Sequence, residues 1–336
     1  MELLGATSTE LQQLSVDLGQ PAFRGKQIAG WIYKQGVLRI EDMTDLPKAF
    51  RSELARTAPF HRAGVVTESA SRDGTRKFLL QLRDGQRIES VLLPYTDRTT
   101  ACISTQVGCA AACAFCASGE LGLVRNLSAG EIVDQILTLQ GHSDTRISNV
   151  VYMGVGEPLL NYDDVLKSIR LLNEEVGIAA RHITLSTVGV TPRIVRLAEE
   201  DLQITLAVSL HAPDDALRRK LMPLTSKYPL RQLINTCRDY ANKTGRRVTM
   251  EYLLLADVND SPDQAKAVAA LLRGIMCNVN LIPYNHTPGS VFRRPDTAAI
   301  TAFRKALEDA GLTVTQRYER GDAVAAACGQ LRSSSG

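Results

Sequence analysis

Gln106-Val107-Gly108-Cys109-Ala110-Ala111-Ala112-Cys113-Ala114-Phe115-Cys116 directly follows a short run, Ala101-Cys102-Ile103-Ser104, that reads as a strand. The spacing is C-x3-C-x2-C. Three thiolates so close together suit a soft, thiophilic metal centre. Residue chemistry alone leaves three readings. Structural zinc prefers four closed protein ligands, and the fourth here has to come from Cys102 or a distant histidine. Iron–sulfur clusters usually take four cysteines, and three leave one iron open. The third reading is a set of unrelated buried cysteines, which the tight spacing beside Gly108 and the alanines disfavours.

Working outward, the pattern from about residue 99 is strand–helix alternation. After residues 101–104, strands are expected at 149–153, 182–186, 204–209, 248–254 and 279–283. Helices are expected between them at 129–140, 162–174, 192–200, 230–243 and 262–272. This alternation argues for an α/β fold with a parallel sheet, either doubly wound or a closed or partial barrel. In each case the ligand site lies at the carboxyl ends of the strands. Upstream, residues 1–60 read as helices at 9–18, 24–34 and 46–55, and residues 62–95 read as strands separated by the turn signals Arg72-Asp73-Gly74-Thr75 and Arg83-Asp84-Gly85-Gln86.

The chain has 336 residues, 44% hydrophobic and 22% charged, an ordinary globular mix that rules out disorder, collagen and coiled coil as the main architecture. No apolar run approaches a membrane span, and Met1-Glu2-Leu3-Leu4-Gly5 lacks the basic-then-apolar order of a secretory signal, so a cytoplasmic protein is expected. The seven cysteines, an odd count in such a chain, argue against a disulfide framework. The net charge of +3 is unevenly spread: residues 181–250 hold 12 basic and 6 acidic side chains, residues 101–180 only 4 basic against 9 acidic. The basic stretch, with Arg218-Arg219-Lys220 and Arg246-Arg247, is compatible with a phosphate backbone as partner, or with a solvated helix face. Cys237 belongs to an apolar stripe with Leu230, Leu233, Ile234 and Ala241, and Cys277 opens a strand, so both read as core. Trp31 and Tyr33 read as helix core rather than base-stacking residues.

C-x3-C-x-Phe-C resembles the signature of the radical S-adenosylmethionine (radical SAM) superfamily. Further strings follow the expected strands: Met153-Gly154-Val155-Gly156-Glu157-Pro158, Thr184-Leu185-Ser186-Thr187-Val188-Gly189, Val208-Ser209-Leu210-His211-Ala212-Pro213 and Leu281-Ile282-Pro283-Tyr284-Asn285. Arg320-Gly321-Asp322 leads to Ala326-Ala327-Cys328-Gly329-Gln330-Leu331 near the end, and Pro21-x-Phe23-Arg24-x-x-Gln27-Ile28-x-x-Trp31-Ile32-Tyr33 with Met43-Thr44-Asp45 stands near the start. In this order the set resembles the RlmN/Cfr group of RNA methyltransferases over nearly the whole chain.

The resemblance implies a radical SAM partial (β/α)6 TIM-like barrel over residues 99–319, with a small helical accessory domain at 1–60, a β-rich extension at 61–98 and a C-terminal segment at 320–336. It implies that Cys109, Cys113 and Cys116 hold one [4Fe-4S] cluster whose open iron binds S-adenosylmethionine, two molecules of which are used per turnover. Gly156, Glu157, Ser186, Ser209, Leu210, His211 and Asn285 are then cofactor contacts. Cys328 carries the methyl group, Glu89 accepts the proton, and Cys102 resolves the RNA adduct by forming a transient disulfide with Cys328. The implied substrates are 23S rRNA and some tRNAs, methylated at adenine C2, with a flavodoxin-type electron donor, no membrane and a monomeric enzyme. Methylation at C8, as in the Cfr members, shares these residues; the terminal strings favour C2. A zinc-stabilised RNA-binding module is the non-enzymatic alternative.

Overall fold

Both turn signals in the stretch after residue 62 close antiparallel hairpins in the computed structural model, which describes residues 1–119, 122–286, 290–317, 321, 324–327 and 329–331. Strands β1 (Gly64–Ala70), β2 (Arg76–Gln81) and β3 (Arg87–Pro94) are joined by turns in which Asp73 accepts from the Thr75 N–H (3.0 Å) and Asp84 from the Gln86 N–H (3.1 Å). A short acidic side chain that bonds the backbone two residues on is what selects Asp at such turns. β3 pairs antiparallel with β4 (Thr99–Cys102), and from β4 onward all pairings in this sheet are parallel.

The parallel set continues through β7 (Ile147–Tyr152), β8 (Ile183–Thr187), β9 (Thr205–Ser209), β10 (Val248–Leu254), β11 (Cys277–Pro283) and β12 (Val314–Gln316). Together with the hairpins these make one ten-stranded mixed sheet in the order β1-β2-β3-β4-β7-β8-β9-β10-β11-β12. β5 (Gln106–Gly108) and β6 (Leu123–Asn126) form a separate antiparallel ribbon flanking the cysteine loop. Among the described residues the large sheet does not close on itself: it is a partial barrel of six β/α units plus a short terminal strand. All six expected barrel strands are present. The three-residue β12 and the β5–β6 ribbon are too short to announce themselves by periodicity.

The crossovers are α4 (Ala129–Gly141), α5 (Tyr162–Leu171), α6 (Thr191–Leu197), α7 (Asp215–Leu221) with α8 (Leu230–Thr244), α9 (Pro262–Leu272) and α10 (Thr297–Asp309). α4 and α9 begin with reciprocal capping boxes, Ser128 with Glu131 and Ser261 with Gln264, which satisfy orphan N–H groups at the helix start. The stripe on α8 is buried as expected, with Cys237 fully enclosed, and Cys277 is buried at the start of β11. Among the described residues no helix is long and apolar enough to cross a membrane.

The N-terminal helices α1 (Ser8–Asp17), α2 (Phe23–Ala29) and α3 (Lys48–Thr57) share the main hydrophobic core with α4 and α5, and Glu10 of α1 pairs with Lys167 of α5 (2.9 Å). Trp31 donates its Nε1–H to Asp45 (2.5 Å), which also accepts from Gln27 (2.8 Å), so the N-terminal motif residues lock onto one another. Tyr33 is buried, its hydroxyl donating to the Ala6 carbonyl (2.6 Å). Arg62 ties this unit to the barrel. It pairs with the buried Asp134 of α4 and donates to the carbonyls of Gly36 (3.1 Å) and Val37 (2.9 Å).

Candidate active site

The carboxyl ends of β7 to β11 and the cysteine loop enclose a half-open cavity. Cys109, Cys113 and Cys116 line it together with Gly156, Glu157, Ser186, Ser209 and His211. The sequence-expected residues that line it come from four places in the chain, the cysteine loop after β4 and the ends of β7, β8 and β9.

The cysteine loop is set by backbone constraints. Gly108 has φ +75°, and a Cβ there would run into the Gly122 carbonyl that accepts the Cys109 N–H (2.9 Å). Only glycine admits this turn and this close approach. The Cys116 N–H donates to the Cys113 carbonyl (3.1 Å), and the Ala114 N–H reaches the Leu221 carbonyl at the end of α7 (2.9 Å). Burial pushes the Cys109 thiol up to about 12 and the Cys113 thiol well above its ordinary value, and the neighbouring thiols and Glu157 push the same way. An empty cage is therefore a set of protonated thiols, and metal loading must release protons. Among the described residues no group of three His, Cys, Asp or Glu side chains stands close enough to hold a single metal ion.

Glu157 is buried, and both its oxygens accept backbone N–H groups, Oε1 from Leu159 (3.0 Å) and Oε2 from Val188 (2.8 Å). Burial raises its carboxyl to about 7 against the opposing pull of these bonds and of Thr187. A buried, oriented carboxylate facing a cavity is suited to an ammonium ligand. Gly156 precedes it at φ +110°, and a Cβ there would lie 2.7 Å from both Gln106 Cβ and Thr105 Oγ1. The Gln106 side-chain carbonyl in turn accepts the Glu157 N–H (2.8 Å).

His211 is buried in a left-handed conformation, φ +56°. Its Nδ1 accepts the Leu253 N–H (3.0 Å), which assigns the proton to Nε2. Burial, reinforced by Arg218, pushes its pKa down to about 3, so it serves as a neutral fixed group and not as an acid or base. Its ring packs edge-to-face on Phe115 of the cysteine loop, centroids 5.1 Å apart. Ser186 and Ser209 end their strands at the cavity wall. Leu210 points elsewhere: it is fully buried, and its backbone serves Glu251 and Arg218. Asn285, 7% exposed, follows the cavity-lining Tyr284 without itself lining the wall.

Arg218 departs from its sequence reading. It is fully buried, not part of a solvated basic patch. Its guanidinium donates to the carbonyls of Val188 (2.5 Å), Ser209 (3.0 Å), Leu210 (3.3 Å) and Tyr228 (3.4 Å). It therefore holds the ends of β8 and β9 at the cavity, and burial lowers its pKa to about 10. Sequence reasoning also passed over Glu251, Arg317 and Met153, which line the cavity; Glu251 accepts from Asn280 (2.7 Å), and Arg317 lies 3.6 Å from the Met153 sulfur. A lone strand carboxylate or arginine carries no local signal.

The C-terminal segment docks across this site. Cys328 lies outside the described residues, but its neighbours do not. Gly329 lines the cavity, and its carbonyl accepts the Ala117 N–H (2.8 Å); the Leu331 carbonyl accepts from the Ser118 hydroxyl (2.7 Å). On the other side, Ala326 and Leu331 pack with Val91, Leu93, Val155 and Cys102 in one small apolar cluster. Val91 is the cross-strand partner of both Lys77 and Cys102, and Glu89 is two residues from Val91 on β3. Lys77, Glu89, Val91 and Cys102 therefore share one face of the sheet, the face the segment covers. Glu89 is not the water-facing carboxylate its alternation suggests: its side chain is 12% exposed and pairs with Lys77 (2.9 Å).

Residues 103–266 match the Radical SAM superfamily, and residues 1–59 match the Ribosomal RNA large subunit methyltransferase N-terminal domain. A probable dual-specificity RNA methyltransferase RlmN from Synechococcus sp. is 50% identical over 337 residues, covering 99% of this chain and 96% of the relative. The corresponding protein of Gloeobacter violaceus is 48% identical, covering 98% and 94%. The chain belongs to the RlmN family. The crystal structure of a radical SAM methyltransferase from Sphaerobacter thermophilus superposes with a TM-score of 0.95 at 47% identity, covering 99% of both chains. RlmN proteins are radical SAM RNA methyltransferases that use a [4Fe-4S] cluster and S-adenosylmethionine. The donor set of this RlmN-family chain fits that cluster: three soft sulfurs face one cavity, whose lining also carries the Glu157 carboxylate and the hydroxyls of Ser186 and Ser209.

Proposed function

We propose that this RNA methyltransferase modifies C2 of adenine in 23S rRNA and in some tRNAs, carrying the methyl group on Cys328. The observation that supports this reading is the docking of residues 324–327 and 329–331 between the cysteine loop and the sheet face bearing Glu89 and Cys102. Gly329 borders the cavity of the cysteine loop, while Ala326 and Leu331 pack beside Cys102.

In this reading Cys109, Cys113 and Cys116 hold the cluster, and Glu157 takes the ammonium of S-adenosylmethionine. Gly156, Ser186, Ser209 and His211 shape the remainder of that site, and Leu210 braces it through its backbone bonds to Glu251 and Arg218. When bound, the cluster and S-adenosylmethionine supply a methyl group and, after one-electron reduction, a carbon radical that removes a hydrogen atom. Adenine C2 lies between two ring nitrogens in an electron-poor ring, and its C–H is too weakly acidic for deprotonation followed by polar methyl transfer.

Cys328 therefore accepts the methyl on its thiolate, loses one hydrogen atom from it, and bonds C2 through the resulting methylene carbon. The adduct returns one electron to the bound cluster, and Glu89 takes the C2 proton. The Cys102 thiolate then attacks the Cys328 sulfur. The S–S bond forms, the S–CH2 bond breaks, and the carbon keeps the electron pair and takes a proton to become the methyl group. An external thiol reductant restores both cysteines. A flavodoxin-type donor supplies electrons, and the enzyme acts as a cytoplasmic monomer.

Anaerobic reconstitution, incubation with RNA and mass-spectrometric mapping of the product test this. Methyl at adenine C2, together with a covalent RNA adduct in Cys102→Ala, is expected. Methyl at C8, or clean product release by Cys102→Ala, contradicts it.

A further inference from the structure

Lys77 stands between the two halves of this reaction and is used by neither motif. It lies on β2, 17% exposed, with its Nζ 2.9 Å from Glu89 Oε1 and 3.3 Å from the carbonyl oxygen of Ala325. An ammonium has three donors, so both contacts form together. Ala325 holds φ +49°, a left-handed conformation that a non-glycine residue adopts only when its surroundings hold it there. The Gly321 N–H donates to Asp73 on the same hairpin (3.0 Å), so the β1–β2–β3 sheet grips the segment at two points.

We infer that Lys77 is a positioning residue that ties the proton acceptor Glu89 to the segment carrying Cys328. The inference rests on the roles proposed above for those two residues. Lys77 does two things. Its Nζ, 2.9 Å from Glu89 Oε1, fixes the orientation of the carboxylate on the sheet face. Its bond to Ala325 sets the register of the segment, three residues before Cys328, against that carboxylate. In the proton step the C2–H bond breaks, its electron pair stays in the purine ring, and the proton moves to a Glu89 oxygen. The attraction between Lys77 and Glu89 then falls away while the bond to Ala325 remains, and the segment stays docked for the attack by Cys102. General bases contribute large rate factors only when held in reach of the proton, so loss of the cation acts on adduct resolution rather than on cluster assembly.

The test compares Lys77→Met, Lys77→Arg and Glu89→Gln in the reconstituted full chain. Four quantities are read: cluster absorbance, S-methylation of Cys328, covalent RNA adduct and methylated product. Lys77→Met is expected to load the cluster and methylate Cys328 as the parent does, to accumulate adduct, and to form product about tenfold more slowly; Lys77→Arg restores most of the rate. Product at the parent rate without adduct, or a Lys77→Met protein whose cluster is loaded but whose Cys328 stays unmethylated, overturns the inference. Should Met at this position reduce cluster loading, Lys77→Gln, neutral yet able to donate to Ala325, carries the same readouts. Glu89→Gln separates the two ideas. Adduct trapped by Glu89→Gln but not by Lys77→Met refutes the role of Lys77 alone, whereas clean product from Glu89→Gln refutes the role of Glu89 itself.

Discussion

The backbone N–H of Ala117, one residue past the third cysteine of the motif, donates to the carbonyl of Gly329, one residue past Cys328, at 2.8 Å. This bond joins the cysteine loop to the C-terminal segment directly. The Ser118 hydroxyl on the Leu331 carbonyl adds a second link between the loop and the segment. On the segment's side both links use backbone carbonyls, so they set geometry without dictating its side chains.

Gly156→Ala is predicted to cripple cofactor binding without unfolding the protein. The new Cβ meets Gln106 and Thr105 at 2.7 Å in a conformation disfavoured for alanine, a strain of about 1–3 kcal/mol. Relief moves Gln106 or Glu157, which share a hydrogen bond. Calorimetric titration of the reconstituted protein with S-adenosylmethionine checks this: affinity should fall at least about tenfold, a 1.4 kcal/mol effect. Unchanged affinity contradicts it.

Glu157 predicts a pH dependence with a definite sign. Burial raises its carboxyl to about 7, so the free site loses its negative charge as pH falls below that value. If the carboxylate binds the ammonium of S-adenosylmethionine, the affinity advantage of the parent over Glu157→Gln shrinks by about tenfold per pH unit below 7. Taking the ratio of the two proteins cancels titration of the ligand. The same raised value means that this group's contribution to stability is present at low pH and is lost as pH rises from the ordinary carboxylate range through 7. A ratio that stays constant from about pH 7.5 to 5.5 contradicts the assignment.

Arg218→Met is predicted to be strongly destabilising. The guanidinium serves four carbonyls in a dry interior, and each buried carbonyl left without a donor costs about 1–3 kcal/mol. Arg218→Lys keeps the charge but not the planar fork, and should recover only part of the loss. Denaturant unfolding measures both. A Met variant within about 0.5 kcal/mol of the parent, the range of ordinary surface changes, contradicts the role.

The contrast between Cys113 and Arg218 explains what was legible in the sequence. The cysteine motif is local: its three sulfurs meet because they are close in the chain, and spacing alone announces a metal centre. The barrel strands were legible because buried parallel strands are short apolar runs bounded by turn residues. Arg218 sits in a run of three basic residues on the seven-residue α7, and such a run looks solvated. It is buried because its carbonyl partners come from the ends of β8 and β9 and from Tyr228, which no local pattern predicts. Lys77 carries no local signal either, and Glu89 was singled out by family resemblance alone; the hairpin register puts the two on one face of the sheet. The pairing of Cys102 with Cys328 came from family resemblance alone; the structure adds that Cys102 packs where that segment docks.

The central claim is that the methyl group reaches RNA through Cys328. It is tested most directly by following a methyl group labelled with heavy isotopes. The reconstituted protein is incubated with S-adenosylmethionine bearing a trideuterated methyl, then freed of it and given RNA, reductant and unlabelled S-adenosylmethionine for a single turnover. The account predicts a labelled S-methyl group on the Cys328 peptide before RNA is added and a methylated adenine retaining two of the three deuteriums afterwards. Labelled RNA from a protein whose Cys328 was never methylated, or a product of the chase carrying three deuteriums or none, would contradict it.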